Sequence, residues 1–104
     1  MKTVVSELSL NDREGWESLY YEYAEFYKVP MDQTILDTVW SWIFDVNNKF
    51  YALVAKDESG NYLGFMHYRA MPSPLRGKLV GFLDDLYVKT EARRVGFLFM
   101  HQPV

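Results

Sequence analysis

The sequence contains no cysteine, which excludes disulfide bonds and a thiolate nucleophile. It has only two histidines, and no His, Asp and Glu set has the spacing of metal ligands. The net charge is −3 with scattered lysines, which argues against a nucleic-acid partner. No apolar run approaches the roughly 20 residues of a membrane span, and the N-terminus lacks the apolar core of a signal peptide. We therefore expect a cytoplasmic protein without a metal and without a nucleic-acid or membrane partner.

Aromatic side chains are abundant instead. Hydrophobic residues make up 49% of the 104-residue chain and aromatic residues 17%, which is typical of a globular protein. A chain of this length forms a single domain over 1–104 and buries about 60–70% of its unfolded surface. The mildly acidic balance suits a cationic small molecule.

The N-terminal half has the pattern of one strand and two helices. The run 3–8 is β-prone, and Asn11 with Glu14 has the spacing of a capping box. Pro30 ends the first helix, and Asp32 is the expected N-cap of a second helix that runs to about Asp45. The first helix carries an aromatic stripe at helical spacing, formed by Trp16, Leu19, Tyr20, Tyr23 and Tyr27, which we assign mainly to the core.

The C-terminal half has the pattern of an antiparallel meander. A continuously apolar strand over 50–55 is followed by a hairpin turn at Gly60-Asn61, where a positive φ is available. The returning strand, 62–69, places Leu63, Phe65, His67 and Arg69 on one face, and His67 is expected to be a hydrogen-bonded, semi-buried histidine. With a loop over 71–77 and a last strand, this order predicts an α+β fold with the two helices packed beside the meander.

The last strand carries the residues most relevant to function. Leu86 and Val88 follow the two-residue period of a strand, but Leu83 lies three residues before Leu86. One face can hold all three only if the strand contains a β-bulge at Asp84-Asp85. Two interpretations remain open, an ordinary strand with a polar end and a bulged strand whose paired carboxylates mark a site.

The residues after this strand suit an anion. Arg93, Arg94 and Gly96 open a predicted helix, where free backbone N–H groups and arginines favour a group such as pyrophosphate. Together with the bulged strand, this segment resembles the GNAT superfamily of N-acetyltransferases. The stretch Phe82-Leu-Asp-Asp-Leu-Tyr-Val88 is most similar to the diamine and polyamine (spermidine/spermine) branch.

The resemblance implies a binding site for acetyl-CoA as co-substrate. It places the pyrophosphate on Arg93, Arg94 and Gly96. The pantetheine arm would lie along Leu86, Tyr87 and Val88, held by backbone groups of Leu86 and Val88. The N–H group of Leu86 could also stabilise the oxyanion of the reaction.

The resemblance also implies residues for the acceptor amine. Asp84 matches the acidic position that contacts or deprotonates the amine, and Asp85 either binds substrate or is a structural hydrogen-bond acceptor. Glu25, Tyr27 and Asp32 lie near the connection between the two helices, which helps to form the acceptor site in this family. The alternative for each of these three residues is a solvated surface side chain or a helix cap.

The tail departs from the family pattern. Leu98 stands where the motif has Gly or Ala, and the chain ends at Val104, so the resemblance covers the N-terminal half of the GNAT fold and implies truncation after the pyrophosphate loop. The predicted function is acetylation of a small, polyamine-like amine, in a weak or inactive form where the truncation impairs it. The alternative is a non-catalytic binding or dimerisation module that uses the apolar strand 80–88 to form a homodimer.

Overall fold

The computed structural model describes residues 3–89, which form one antiparallel sheet and two helices. The strands follow one another in space in the order β1-β2-β3-β4. The expected α+β meander with two N-terminal helices is confirmed. The elements are β1 (Thr3–Glu7), a 3₁₀ turn (Leu10–Asp12), α1 (Arg13–Tyr27), α2 (Gln33–Phe44), β2 (Phe50–Asp57), β3 (Tyr62–Ser73) and β4 (Lys78–Val88).

The entry to α1 differs from the prediction. A 3₁₀ turn precedes the helix, so the capping box lies two residues earlier than expected, at Ser9 and Asp12 rather than at Asn11 and Glu14. The Asp12 carboxylate accepts hydrogen bonds from the backbone N–H of Ser9 at 2.8 Å and from the hydroxyl of Tyr62 at 2.6 Å. Lys56 pairs with the same carboxylate at 3.1 Å. This buried aspartate therefore joins the start of α1 to β2 and β3.

The break between the helices is as predicted. Lys28 takes the left-handed conformation with φ 56° and ends α1. Asp32 caps α2, where its side chain accepts a hydrogen bond from the backbone N–H of Ile35 at 2.9 Å. This helix ends at Phe44 with Asp45 as its C-cap, which matches the expected boundary.

The main core lies between the helices and one face of the sheet. The aromatic stripe of α1 packs there, with Trp16 fully buried and Tyr27 exposed at the far end of the helix. From the sheet, Val54 and Phe65 complete this cluster. Leu63 belongs instead to a second cluster with Met66 and Val88, so the prediction that it shares a face with Phe65 is wrong. The cause is a register shift at Ala55/Lys56, which adds one residue to β3 opposite β2.

The β2–β3 and β3–β4 connections follow from local backbone chemistry. Gly60 has φ +87° in the predicted hairpin turn. β3 continues to Ser73, four residues beyond the prediction, in spite of Pro72. The N–H of Ala70 donates to the carbonyl of Lys49, which precedes the start of β2. The backbone nitrogen of Pro72 faces the same side, beyond the end of β2. Proline is tolerated there because β2 offers no acceptor that the missing N–H would have bonded.

Among the described residues, no helix is both long and apolar enough to cross a membrane.

Candidate functional site

The predicted bulge in β4 is confirmed, and it places two carboxylates on the same side of the sheet. His67 pairs with Asp85 and Tyr68 pairs with Leu83, so Asp84 is an extra residue in β4. In a regular strand, neighbouring side chains point to opposite faces. Here both Asp84 and Asp85 line one cavity on the helix side of the sheet.

The cavity has a volume of about 500 Å³, within the range of small-molecule sites. It lies between the second half of α2, the chain entering β2, and the bulged part of β4. Its walls combine aromatic and charged side chains. The lining residues are Tyr20, Val39, Trp42, Asn48, Lys49, Phe50, Arg69, Ala70, Asp84 and Asp85.

Asp85 is held by two hydrogen bonds from the protein. Its carboxylate accepts from the hydroxyl of Tyr23 at 2.7 Å and lies 2.9 Å from Nδ1 of His67. Burial alone would raise the pKa of Asp85, but the hydrogen bonds from His67 and Tyr23 outweigh it and the pKa lies below its usual value. Asp85 is therefore ionised, and both of its oxygens are committed to protein donors.

The proton on His67 is fixed by a third residue. The indole Nε1 of Trp16 donates to Nε2 of His67 at 2.9 Å. Indole nitrogen can only donate, so Nε2 must be the acceptor and the imidazole must carry its proton on Nδ1. That proton is donated to Asp85. The expectation of a hydrogen-bonded histidine at position 67 is confirmed, and its side chain is fully buried.

Asp84 is only half satisfied by the protein. Its Oδ1 forms an ion pair with Nη2 of Arg69 at 2.9 Å, and the guanidinium of Arg69 stacks over the ring of Phe82. Its Oδ2 is buried and has no hydrogen-bond partner in the described part of the chain. A buried oxygen without a donor is costly in a folded protein, and such an atom beside a cavity is suited to a ligand.

Tyr20 lines the same cavity as the two carboxylates. Burial, together with the negative charges of Asp85 and Asp84, raises the pKa of Tyr20 to about 12. Its hydroxyl therefore keeps its proton at neutral pH.

The outer edge of β4 has free backbone groups next to the bulge. The N–H of Lys89 donates to the carbonyl of Leu63 in β3 at 2.9 Å. Backbone groups alternate in direction along an antiparallel strand, so Leu86 and Val88 point away from β3. β4 is the last strand of the sheet within residues 3–89, and these groups are open to an extended ligand.

No family model matches the sequence. A D-amino-acid N-acetyltransferase of Saccharomyces cerevisiae is 31% identical over 96 residues, which are 91% of this chain and 60% of the yeast protein. A ribosomal-protein-alanine N-acetyltransferase from Brucella melitensis biovar Abortus 2308 superposes with a TM-score of 0.72 at 25% identity, over 95% of this chain and 66% of that one. The fold is that of the GNAT acetyltransferases.

A second similar structure contains a coenzyme A derivative. It is AAC(6')-Iy in complex with the bisubstrate analog CoA-S-monomethyl-acetylneamine, with a TM-score of 0.75 at 14% identity over 96% of this chain and 66% of that one. The chain thus spans less than two thirds of the yeast relative and of these two structures. The yeast relative is named for D-amino acids, so the polyamine-like branch within the GNAT superfamily stays a prediction.

Some residues that the GNAT resemblance assigned lie apart from the cavity. Glu25 and Tyr27 are on the exposed end of α1, and the side chain of Asp32 is used as the cap of α2. Arg93, Arg94 and Gly96 lie outside the described residues. The roles of these residues remain predictions.

The sequence did not predict which side chains meet across long sequence separations. The contacts of His67 with Trp16, and of Asp85 with Tyr23, span 51 and 62 positions. Lys49 lines the cavity from the turn before β2, and nothing in the sequence pattern singled it out. The helical stripe and the strand alternation place these side chains on inward faces, but they do not identify the partners.

Proposed function

We propose that the protein is an acetyl-CoA-dependent N-acetyltransferase of a small amine. One observation supports this most strongly. A GNAT fold has, at the bulge of β4, a cavity lined by Asp84, and Oδ2 of this carboxylate is buried without a hydrogen-bond donor among residues 3–89. An ammonium group is the ligand that this oxygen would accept most readily.

The open edge of β4 fits the co-substrate. Acetyl-CoA supplies an acetyl thioester whose carbonyl carbon an amine nitrogen attacks, with loss of the thiol of coenzyme A. The outward backbone groups of Leu86 and Val88 would hold its pantetheine arm as an added strand is held. The N–H of Leu86 would donate to the carbonyl oxygen as negative charge develops on it. Tyr87 presents its side chain to the helices instead, where its hydroxyl donates to Glu22 at 3.1 Å.

The two aspartates would have different roles. Asp84 would accept a hydrogen bond from the ammonium through Oδ2 and take its proton, which frees the nitrogen lone pair for attack. Asp85 would not act as a base, because two protein donors hold its charge in place. It would act on the acceptor only through its charge, which favours a cation in the cavity.

The thiol released by the reaction gives a direct assay. The chain has no cysteine, so a thiol reagent reports coenzyme A without a background from the protein. We expect the full chain to release thiol from acetyl-CoA only when a primary amine is present. Asp84→Asn should lower kcat/KM about 100-fold or more, because a general base typically contributes that much.

The matched control is Glu58→Gln, which removes one carboxylate from the exposed β2–β3 turn. It should leave the rate unchanged. Equal rates for Asp84→Asn and the unaltered chain would remove Asp84 from the mechanism. No release of thiol with any primary amine, in a chain that calorimetry shows to bind coenzyme A, would overturn the proposed activity.

A second candidate is the homodimer built on the outer edge of β4. Leu79, Phe82 and Leu83 are each about half exposed on this strand, at 50%, 46% and 46%. An apolar edge strand pairs readily with a second copy of itself. Sedimentation of the chain and of Leu83→Lys tests this directly. A dimer that dissociates on substitution supports the module, whereas a monomeric unaltered chain excludes it.

A further inference from the structure

We propose that the cavity selects an amine that also carries a carboxylate, with the ammonium on Asp84 and the carboxylate on Lys49 and Arg69. This inference rests on the proposed function, since it names the acceptor of the same reaction. It differs from the polyamine-like acceptor that the sequence resemblance implied.

The first support is an unpaired cation. Lys49 lines the cavity, and within residues 3–89 its ammonium has no carboxylate within ion-pair distance. Arg69 uses Nη2 for Asp84, but a guanidinium has five N–H donors and the side chain is 56% exposed. The cavity therefore has cationic donors left over for an anionic group.

The second support is the balance of charge. Asp84 and Asp85 bring two negative charges to the cavity wall, and Lys49 and Arg69 bring two positive charges. A polyamine would add several positive charges beside two cations. A zwitterion adds none overall and pairs with both signs.

The third support is the placement of the two signs. Arg69 on β3 is ion-paired with Asp84 at the bulge of β4 at 2.9 Å, and Lys49 lines the same cavity from the turn that leads into β2. An acceptor that carries its ammonium and its carboxylate on one carbon can therefore meet both signs at neighbouring positions of the cavity wall.

The walls indicate what the rest of the acceptor is like. Tyr20, Trp42 and Phe50 present aromatic surface to the cavity. Such surface suits an apolar or aromatic side chain beside the two charged groups. The cavity volume of about 500 Å³ has room for a single amino-acid-sized molecule.

Three matched probes separate the contributions of the two ends: phenylalanine, phenethylamine without the carboxylate, and 3-phenylpropanoate without the amine. Titration calorimetry with the full chain measures binding and does not require acetyl transfer. We expect phenylalanine to bind about 10-fold or more tighter than either half-probe, as two charge-assisted contacts act together.

Substitution of the lysine assigns the carboxylate end. Lys49→Met should remove the advantage of phenylalanine and leave phenethylamine binding as it was. Lys78→Met, which removes a lysine at the start of β4 away from the cavity lining, is the matched control and should change neither.

The outcomes separate the inference from the proposed function. Phenethylamine binding as tightly as phenylalanine would overturn the zwitterion inference and leave an amine acetyltransferase. A phenylalanine advantage that survives Lys49→Met would also overturn it, because the carboxylate would then lie elsewhere. Failure of both amines to bind would overturn the zwitterion inference, whereas the thiol-release assay with other primary amines decides the proposed function.

Discussion

Trp16 donates its indole proton to Nε2 of His67 and thereby sets the proton of the imidazole on Nδ1. The two residues are 51 positions apart, one on α1 and one on β3. Because Nδ1 faces Asp85, the helix determines which oxygens of the bulge remain for a ligand. The oxygens of Asp85 are used, whereas Oδ2 of Asp84 has no hydrogen-bond donor among residues 3–89.

The tautomer of His67 is directly measurable. We expect nitrogen-15 NMR at neutral pH to show a protonated Nδ1 and an unprotonated Nε2, because Nε2 accepts the Trp16 hydrogen bond. In Trp16→Phe the Nε2 atom loses its donor, and its resonance should shift. His101 provides a second histidine signal, assigned by His101→Gln. A protonated Nε2 in the unaltered chain would contradict the assignment.

The two neighbouring aspartates should contribute unequally to the stability of the fold. Asp85→Asn leaves His67 and Tyr23 without their ionised acceptor, which should cost about 1–3 kcal/mol in the free energy of unfolding. Asp84→Asn should cost much less, because Oδ2 has no donor to lose in the described part of the chain and the amide oxygen can still accept from Arg69. Urea unfolding of both variants measures the difference. Equal losses in the free energy of unfolding would show that Asp85 contributes no more to stability than Asp84 does.

Asp12 should make the fold sensitive to acid. Burial tends to raise its pKa, but hydrogen bonds from Tyr62, Ser9 and Lys56 outweigh it and lower the pKa from 3.8 to about 2. Because the folded-state value is the lower one, the stabilisation is complete above about pH 4 and is lost as the pH falls through 2. The size of the shift corresponds to about 2 kcal/mol.

Urea unfolding of the unaltered chain and of Asp12→Asn tests this prediction. The stability difference between them should be largest near neutral pH and should shrink steadily between about pH 4 and pH 2. Glu58→Gln should show no such convergence, since this side chain is exposed in the turn between β2 and β3. A difference that does not change with pH would mean that the charge of Asp12 contributes nothing.

Gly64 should be intolerant of any side chain. A Cβ atom there would lie 2.6 Å from the carbonyl oxygen of Tyr87 and 3.2 Å from Cα of Val88. Both are backbone atoms, so Gly64→Ala must push β4 away from β3, at a cost of about 1–3 kcal/mol. The shift falls on the edge proposed for coenzyme A, so affinity measured by calorimetry should fall as well.

Gly60→Asn is the control for Gly64→Ala. Gly60 has nothing within 4 Å of an added Cβ, and asparagine tolerates its positive φ. Stability and coenzyme A affinity should both stay near those of the unaltered chain. A harmless Gly64→Ala would show that the two strands can separate at no cost.

The sequence predicted the elements that depend on local signals. Gly60 needed a positive φ, Asp32 had the position of a cap, and the spacing of Leu83 from Leu86 required the bulge. It could not predict that Ser9 and Asp12 form the capping box, since several polar residues there have a suitable spacing. Which of these residues is used depends on Tyr62 and Lys56, which approach from the other end of the chain.

The candidate site was predictable only in part, for the same reason. A spacing of three identifies the bulge and its two aspartates, but not the direction of either carboxylate. That direction is decided by His67 and Arg69, which reach the bulge from β3. Sequence periodicity shows on which face of its own strand a residue lies. It does not show which residues of the neighbouring strand contact that residue.

Because Asp84 is the extra residue of the bulge, the pairing of β3 with β4 does not depend on it. Pairing is in phase on both sides of it, with Leu83 opposite Tyr68 and Asp85 opposite His67. A chain that lacked this one residue could form an uninterrupted ladder with every other side chain on its present face. The architecture thus carries Asp84 as an insertion that it does not need, and the position can be gained or lost without rebuilding the fold.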